Sequence, residues 1–276
     1  MLTRLAHGGL LLKSVGVTSS SSLLAVAYNG TSPDKARFYS VPGFTSYVNM
    51  PSAPVNTSGA GAFSADGSFF ACGNGSAAEK VLIYQTNNSA DVSTWTKLPA
   101  LSSVIEGAAN CLAFSPDGQW LAVGYGASPY IAVYKTSDWS RQANPSQTPG
   151  QSVRQVAWSP DSTRAVVSVI ETYSYNPSTM ARTTLGTGNY GPVTFTPDGL
   201  NLIISSSTAP VMRRLRTSDW ASQTIASATK GEWLAASPNG NWVAMYGGSD
   251  GLVVWETAPG TKLAVPTLAS SATQPR

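Results

Sequence analysis

The sequence predicts an all-β fold, a single β-propeller of four-stranded blades, and three observations lead to this prediction. One pattern repeats along most of the 276 residues. Charged residues make up only 11% of the chain, while the turn-forming residues glycine, proline, serine, threonine and asparagine are frequent. Each repeat also contains short apolar runs rich in β-branched and aromatic residues, without helical periodicity.

A turn of the form Ser-Pro-Asp-Gly marks each repeat. Its first residue is a Ser or a Thr, and the degenerate first copy is placed in the run of serines after Thr18. The six marker positions are Ser19, Ser64, Ser115, Ser159, Thr196 and Ser237. The intervals of 37 to 51 residues suit a four-stranded propeller blade of about 40 to 50 residues. Six copies predict six blades, and seven blades is the alternative.

The elements of one repeat follow in a fixed order. A short alternating strand enters the turn, where proline presets its φ and a glycine such as Gly118 is expected at positive φ. A second apolar strand, a small-residue loop and a third strand follow, and these strands need cover on both faces, as stacked blades provide. A polar turn then leads to a weaker fourth strand that begins with an aromatic residue. These aromatic residues are Phe44, Trp95, Trp139 and Trp220.

Residues 13–265 are predicted to form the propeller, with residues 1–12 as an N-terminal segment that helps to close the ring and residues 266–276 as a C-terminal tail. Two stretches depart from the repeat. NNSADVSTWTKLPALSSVIEG lies between the second and third copies. ETYSYNPSTM is expected to lengthen the connection between the second and third strands of the fourth copy.

The turn followed by an apolar strand resembles the repeats of TolB-like and WD-related propellers. The chain has no Trp-Asp pair, however, and His7 is its one histidine. The segment WLAVGYGASPYIAVYKTSDW, residues 120–139, more closely resembles repeats of propeller-type structural proteins of tailed bacteriophages. This resemblance implies a non-enzymatic, tail-associated virion protein that serves as an interaction or host-recognition platform. Its implied partners are other virion proteins in a symmetric multi-copy assembly, and a host surface glycan or protein.

A secreted or periplasmic propeller that binds or hydrolyses glycans is the alternative. The net charge of +3 comes without a basic run, so nucleic-acid binding is not expected. No apolar segment reaches the roughly 18 residues that would span a bilayer, so membrane insertion is not expected either.

The sequence predicts no catalytic, cofactor-binding or metal-binding residues. His7 stands alone, and the glycine-rich loops at Gly73 and Gly124 lie between predicted strands rather than before a helix. Asp side chains recur at the turns, once per blade, and are predicted to accept hydrogen bonds from their own turn instead of binding calcium. They are Asp66, Asp117, Asp161 and Asp198. Cys72 and Cys111 are expected to be apolar free thiols, with a disulfide between them as the alternative.

Recognition is predicted where the chain departs from its repeat, because functional residues concentrate on such loops. The candidate residues are Asn87, Asn88, Trp95, Tyr173, Tyr175 and Asn176. Trp95, Trp139 and Trp220 are expected to pack between blades, and a sugar-stacking surface is the alternative.

Overall fold

The structure is a computed structural model. It describes residues 11–18, 23–29, 36–41, 46–47, 57–74, 79–87, 91–99, 101, 106–186, 191–205, 211–227, 233–246, 252–257 and 262–263. Internal contacts divide the chain into two compact units. The first comprises Met1–Val167 and Tyr173–Thr183, and the second comprises Ser168–Thr172 and Thr184–Arg276.

The first three sheets belong to the first unit. The strands are β1 (Leu11–Val17), β2 (Leu23–Asn29), β3 (Ala36–Ser40), β4 (Ser46–Tyr47), β5 (Thr57–Phe63), β6 (Phe69–Asn74), β7 (Val81–Gln85), β8 (Thr96–Lys97), β9 (Ala109–Phe114), β10 (Trp120–Tyr125) and β11 (Ile131–Lys135). A short 3-10 turn, Val92–Thr94, precedes β8.

Three further sheets follow along the chain. The strands are β12 (Gln155–Trp158), β13 (Ala165–Ser168), β14 (Thr172–Tyr175), β15 (Arg182–Gly186), β16 (Val193–Phe195), β17 (Asn201–Ser205), β18 (Val211–Arg216), β19 (Ser222–Ser227), β20 (Trp233–Ala236), β21 (Trp242–Tyr246), β22 (Leu252–Glu256) and β23 (Lys262–Leu263).

Each sheet consists of consecutive strands in chain order, and all the strand pairs with a recorded register are antiparallel. The first strands of neighbouring sheets contact each other: in the first unit β1 contacts β5, β5 contacts β9 and β9 contacts β12, and in the second unit β16 contacts β20. This arrangement is that of propeller blades, whose first strands lie innermost. The predicted all-β propeller fold is therefore confirmed. Six sheets occur among the described residues, and the blade number remains a prediction.

The third sheet differs from the predicted four strands. It contains β9, β10 and β11, and its fourth position is reduced to a single bridge between Tyr134 and Arg141. Pro145 and Pro149 follow closely, and a proline has no N–H to donate to a strand ladder. The chain therefore leaves the sheet edge soon after Arg141.

The fourth copy was predicted to carry a lengthened connection, and this prediction is wrong. TYSY, which was assigned to that connection, is β14, the third strand of its sheet, and all four of its residues are buried. The connection before it is short, and Asn176 instead opens the turn to β15, where its Oδ1 accepts the N–H groups of Ser178 and Thr179 at 3.0 Å each. The polar strand was missed because its burial depends on neighbouring residues and not on its own hydropathy.

The marker of the first copy is Thr18, not Ser19. The backbone N–H of Thr18 donates to the carbonyl of Leu23 at 3.0 Å, and its hydroxyl accepts the N–H of Leu23 at 3.2 Å. The same five-residue spacing joins Ser115 to Trp120 in the third copy. Residues 1–10 and 266–276 lie outside the described residues, so the predicted ring closure and tail remain predictions.

Candidate functional site

The Ser-Pro-Asp-Gly turn is a compact hydrogen-bonded unit. In the third sheet, the Ser115 hydroxyl donates to Asp117 Oδ1 at 2.5 Å, and the same carboxylate oxygen accepts the N–H of Gln119 at 3.0 Å. Ser115 Oγ also accepts the N–H of Trp120 at 3.0 Å. The turn therefore satisfies its polar groups locally, as the sequence predicts.

The same network recurs in the other described turns. The hydroxyl-to-Oδ1 distances are 2.6 Å for Ser64–Asp66, 2.5 Å for Ser159–Asp161, 2.5 Å for Thr196–Asp198 and 2.7 Å for Ser237–Asn239. A threonine hydroxyl at the end of the third strand also donates to the turn glycine carbonyl, in the pairs Thr86–Gly67, Thr136–Gly118, Thr217–Gly199 and Thr257–Gly240. The predicted turn role of the Asp side chains is confirmed. Among the described residues, no group of three or more His, Cys, Asp or Glu side chains is placed to hold a metal.

Hydrogen bonds also lower the pKa of two of these carboxyl groups, those of Asp66 and Asp161. Partial burial raises the pKa of Asp66, but donation from the hydroxyl groups of Ser64 and Ser68 and from the Ser68 N–H outweighs it, so the pKa lies below its ordinary value. The pKa of Asp161 is lowered in the same way, with burial opposed by Ser159 and Thr163. A carboxyl group with a lowered pKa is ionised at neutral pH and is a poor general acid.

Trp95 was predicted both as a recognition residue and as a residue packed between blades. Its side chain is 3% exposed, and its ring centroid lies 5.0 Å from that of Phe38, 6.0 Å from that of Phe63 and 5.8 Å from that of Phe70. Phe38 belongs to the first sheet and Phe63 and Phe70 to the second, so the packing role is confirmed. A side chain buried in this way does not form a sugar-stacking surface.

Trp139 packs between the second and third sheets. Its ring centroid lies 5.1 Å from that of Phe69 and 6.4 Å from that of Phe114, both edge to face. The backbone of Trp139 has φ of +57°, and Trp220, in the second copy of the same TSDW sequence, has φ of +59°. Bulky residues rarely adopt this conformation. For Trp139, packing of the indole ring against Phe69 and Phe114 offsets the cost of this backbone conformation.

The predicted recognition residues of the second copy are only partly described. Asn87 is exposed at φ of +53°, and its side-chain amide donates weakly to the Thr94 carbonyl at 3.5 Å. Asn88 lies outside the described residues. Of the predicted candidates in this segment, Asn87 alone is shown with an exposed side chain.

Of the recognition residues predicted in the fourth copy, Tyr173 and Tyr175 are buried beside Arg182, whereas Asn176 is exposed. The Arg182 guanidinium lies 4.3 Å from the Tyr173 ring centroid, and its Nη1 donates to the Thr148 carbonyl at 2.8 Å. Tyr175 is fully buried, and its hydroxyl donates to the Gln147 carbonyl at 3.1 Å. Burial raises the pKa of Tyr175. The predicted loop placement of Tyr173 and Tyr175 is therefore wrong, although the alternation in TYSY could have indicated a strand.

Sequence reasoning missed a second polar arrangement, in the third sheet. Glu106 and Arg141 form an ion pair, with side chains 1% and 10% exposed. The hydroxyl groups of Tyr125 and Tyr134 lie 3.1 Å apart, and burial is the main factor that raises the pKa of both. Burial also raises the pKa of Glu106, against the opposing effect of Arg141. This arrangement lies beside the bridge between Tyr134 and Arg141, where the fourth strand of the sheet is reduced.

Both cysteines are free thiols, so the alternative of a disulfide between them is wrong. Burial raises the pKa of Cys72 to about 12 and that of Cys111 to about 12. A thiol with this pKa is protonated at neutral pH and unreactive as a nucleophile.

No helix in the described part of the chain has the length and hydropathy to cross a membrane.

Comparison with known proteins supports the fold. The family described as WD domain, G-beta repeat matches residues 101–134, the segment that contains the Ser115 turn. No curated protein matches the sequence. Among solved structures, Kuenenia stuttgartiensis hydrazine synthase is similar with a TM-score of 0.69 and 13% identity, over 93% of this chain and 80% of that chain. At this identity the likeness concerns the fold. The chain is a β-propeller repeat protein with a WD-like repeat in its third sheet.

Proposed function

We propose that this chain is a non-enzymatic interaction platform within the virion of a tailed bacteriophage, associated with the tail. The main support for this proposal is the repeated turn, because its polar side chains form hydrogen bonds within the turn itself. The carboxylate of Asp117 accepts from both Ser115 and Gln119. Side chains used in this way support the backbone and are not available for acid–base chemistry.

These turns form surfaces that are well suited to protein contacts. Pro116, Asp117 and Gln119 are exposed while Ser115 beneath them is buried. Such a surface is already ordered before binding, so little conformational entropy is lost when a partner docks. Charges are few, 17 basic and 14 acidic residues in 276. Association would therefore depend on shape, apolar contact and hydrogen bonds more than on long-range steering.

The virion setting rests on the sequence resemblance of residues 120–139 to repeats of phage structural proteins. The proposed partners are other virion proteins in a symmetric multi-copy assembly, with a host surface glycan or protein as the recognition target. The glycan-binding or glycan-hydrolysing alternative, in an extracellular or periplasmic protein, loses three aromatic candidates, because Trp95, Tyr173 and Tyr175 are buried. It keeps Trp139 and Trp220, which are only partly buried.

The test is the presence of this protein in purified particles. Particles are banded by density, and the chain is quantified by mass spectrometry against a capsid protein, with an abundant host protein as the contamination control. We expect a fixed copy number per particle. A level equal to that of the host control would refute the virion proposal.

A deletion tests which part of the chain takes part in assembly. Removing residues 266–276 is expected to reduce incorporation while the melting curve of the purified protein stays unchanged. Trimming residues 87–95 is not a suitable test, since it would remove the buried side chains of Val92 and Trp95 from the core. Full incorporation of the truncated protein would exclude this tail as a contact.

A further inference from the structure

The outer strand of the fifth sheet is long and carries no charge. The outer strands β4, β8 and β23 have two residues each, and β15 has five and begins with Arg182, whereas β19 has six uncharged residues, SQTIAS. Natural sheets protect an outer strand by shortness, by charged residues or proline, or by a bulge. Of these devices, β19 has the bulge alone, at Ile225, where the register with β18 shifts.

The hydrogen-bond register shows which backbone groups of β19 point outward. The N–H of Arg216 donates to the Ala221 carbonyl at 3.0 Å, and in the same register Gln223 pairs with Arg214. Hydrogen-bonded and non-hydrogen-bonded pairs alternate in antiparallel strands. The N–H and C=O groups of Ser222 and Thr224 therefore point away from β18, and both residues are exposed.

We propose that two copies of this chain associate by pairing their β19 strands antiparallel, about a two-fold axis at Gln223. In this register Ser222 lies opposite Thr224 of the partner subunit, and the symmetry repeats the pair. The two pairs form four backbone hydrogen bonds from the outward N–H and C=O groups.

The occupant is a second copy because the strand is complementary to itself. Antiparallel pairing about Gln223 places no like charges opposite each other: the nearest charged residue, Asp219, falls opposite Ser227 of the partner subunit. Opposed hydroxyl side chains such as those of Ser222 and Thr224 are favourable cross-strand pairs. A symmetric contact also uses the same edge on both copies, so β19 is covered in each of them.

This contact rests on the proposed multi-copy assembly and specifies one subunit interface in it. It is tested on purified protein alone. A negative result would therefore leave the particle experiment unaffected. Sedimentation and light scattering over a concentration series are expected to show a monomer–dimer equilibrium for the full chain. Two double variants test the register: Ser222→Glu with Thr224→Glu, and Ser222→Lys with Thr224→Lys. Each places like charges opposite each other twice, and roughly tenfold or more weaker self-association is expected.

Mixing the two double variants is the decisive measurement. Opposite charges then face each other in the mixed pair, so dimers are expected to return in the mixture while each variant alone stays monomeric. Circular dichroism and the melting curve verify that each variant is folded. If a double variant fails to fold, Thr224→Glu and Thr224→Lys are compared singly. A monomeric full-length protein, unchanged dimerisation of the variants, or a mixture of folded variants without dimers would each overturn the proposal.

Discussion

Replacing Gly118 by valine isolates the cost of the backbone conformation that the repeated turn requires. Gly118 has φ of +72°, and a Cβ built on it meets no atom within 4 Å. A side chain at this position therefore begins in open space, and we attribute the expected effect to placing a β-branched residue in the left-handed region. We expect the free energy of unfolding to fall by about 1 to 3 kcal/mol.

The matched control is Gly118→Asn, because asparagine tolerates the left-handed region better than valine. Its expected cost is below about 1 kcal/mol. Urea unfolding followed by tryptophan fluorescence gives both values, provided that the slope of the transition is the same in all three proteins. Ser162 occupies the same turn position at φ of +60°, which shows that a residue other than glycine is compatible with the fold. Equal stabilities of the Val and Asn variants would refute the strain argument.

Four further predictions follow from the same contacts. Trp139→Ala should lower the free energy of unfolding by about 2 kcal/mol or more through lost ring packing, whereas an unchanged stability would mean that its contacts with Phe69 and Phe114 contribute little. The folded-state pKa values of Asp66 and Asp161 lie below the ordinary 3.8, so these residues stabilise the fold above about pH 3.8 and this stabilisation is lost as the pH falls through the lowered values. In urea titrations at acid pH, the variant Asp66→Asn should therefore lose less stability with falling pH than the unmodified protein. An identical pH profile of the two proteins would contradict this. Cys72 and Cys111 should resist a thiol reagent at pH 8 until the protein unfolds, and rapid labelling of the native protein would show that the thiols are accessible. Dialysis against a chelator should leave the melting curve in place, and a drop of several degrees would indicate a bound metal.

The repeated turns could be predicted from sequence because all their interactions are short in range. Ser115, Asp117 and Gly118 lie within four residues, and the proline and glycine between strands restrict the backbone on their own. The positive φ at Gly118 and the hydrogen-bonded Asp117 followed from this local chemistry. The period of these turns then led to the blade repeat and the propeller.

The candidate site was predictable only in part, because burial is decided by residues far apart in the chain. Tyr173 and Tyr175 seemed to belong to a polar loop, yet they are buried against Arg182 and the Gln147 and Thr148 carbonyls. The alternation in TYSY is compatible with a strand, but its burial could not be predicted, because its residues are polar or aromatic and another segment of the chain covers them.

The sequence by itself determined the geometry of the repeated turns, the all-β repeat and the packing role of Trp95 and Trp139. The tertiary structure decided which polar residues meet. Glu106 and Arg141 are 35 residues apart and form a buried ion pair, and the outward groups of β19 are known only from its register with β18. The physical reason is that a turn is stabilised by neighbours along the chain, whereas charge pairing, burial and free strand edges depend on which sheets pack beside each other.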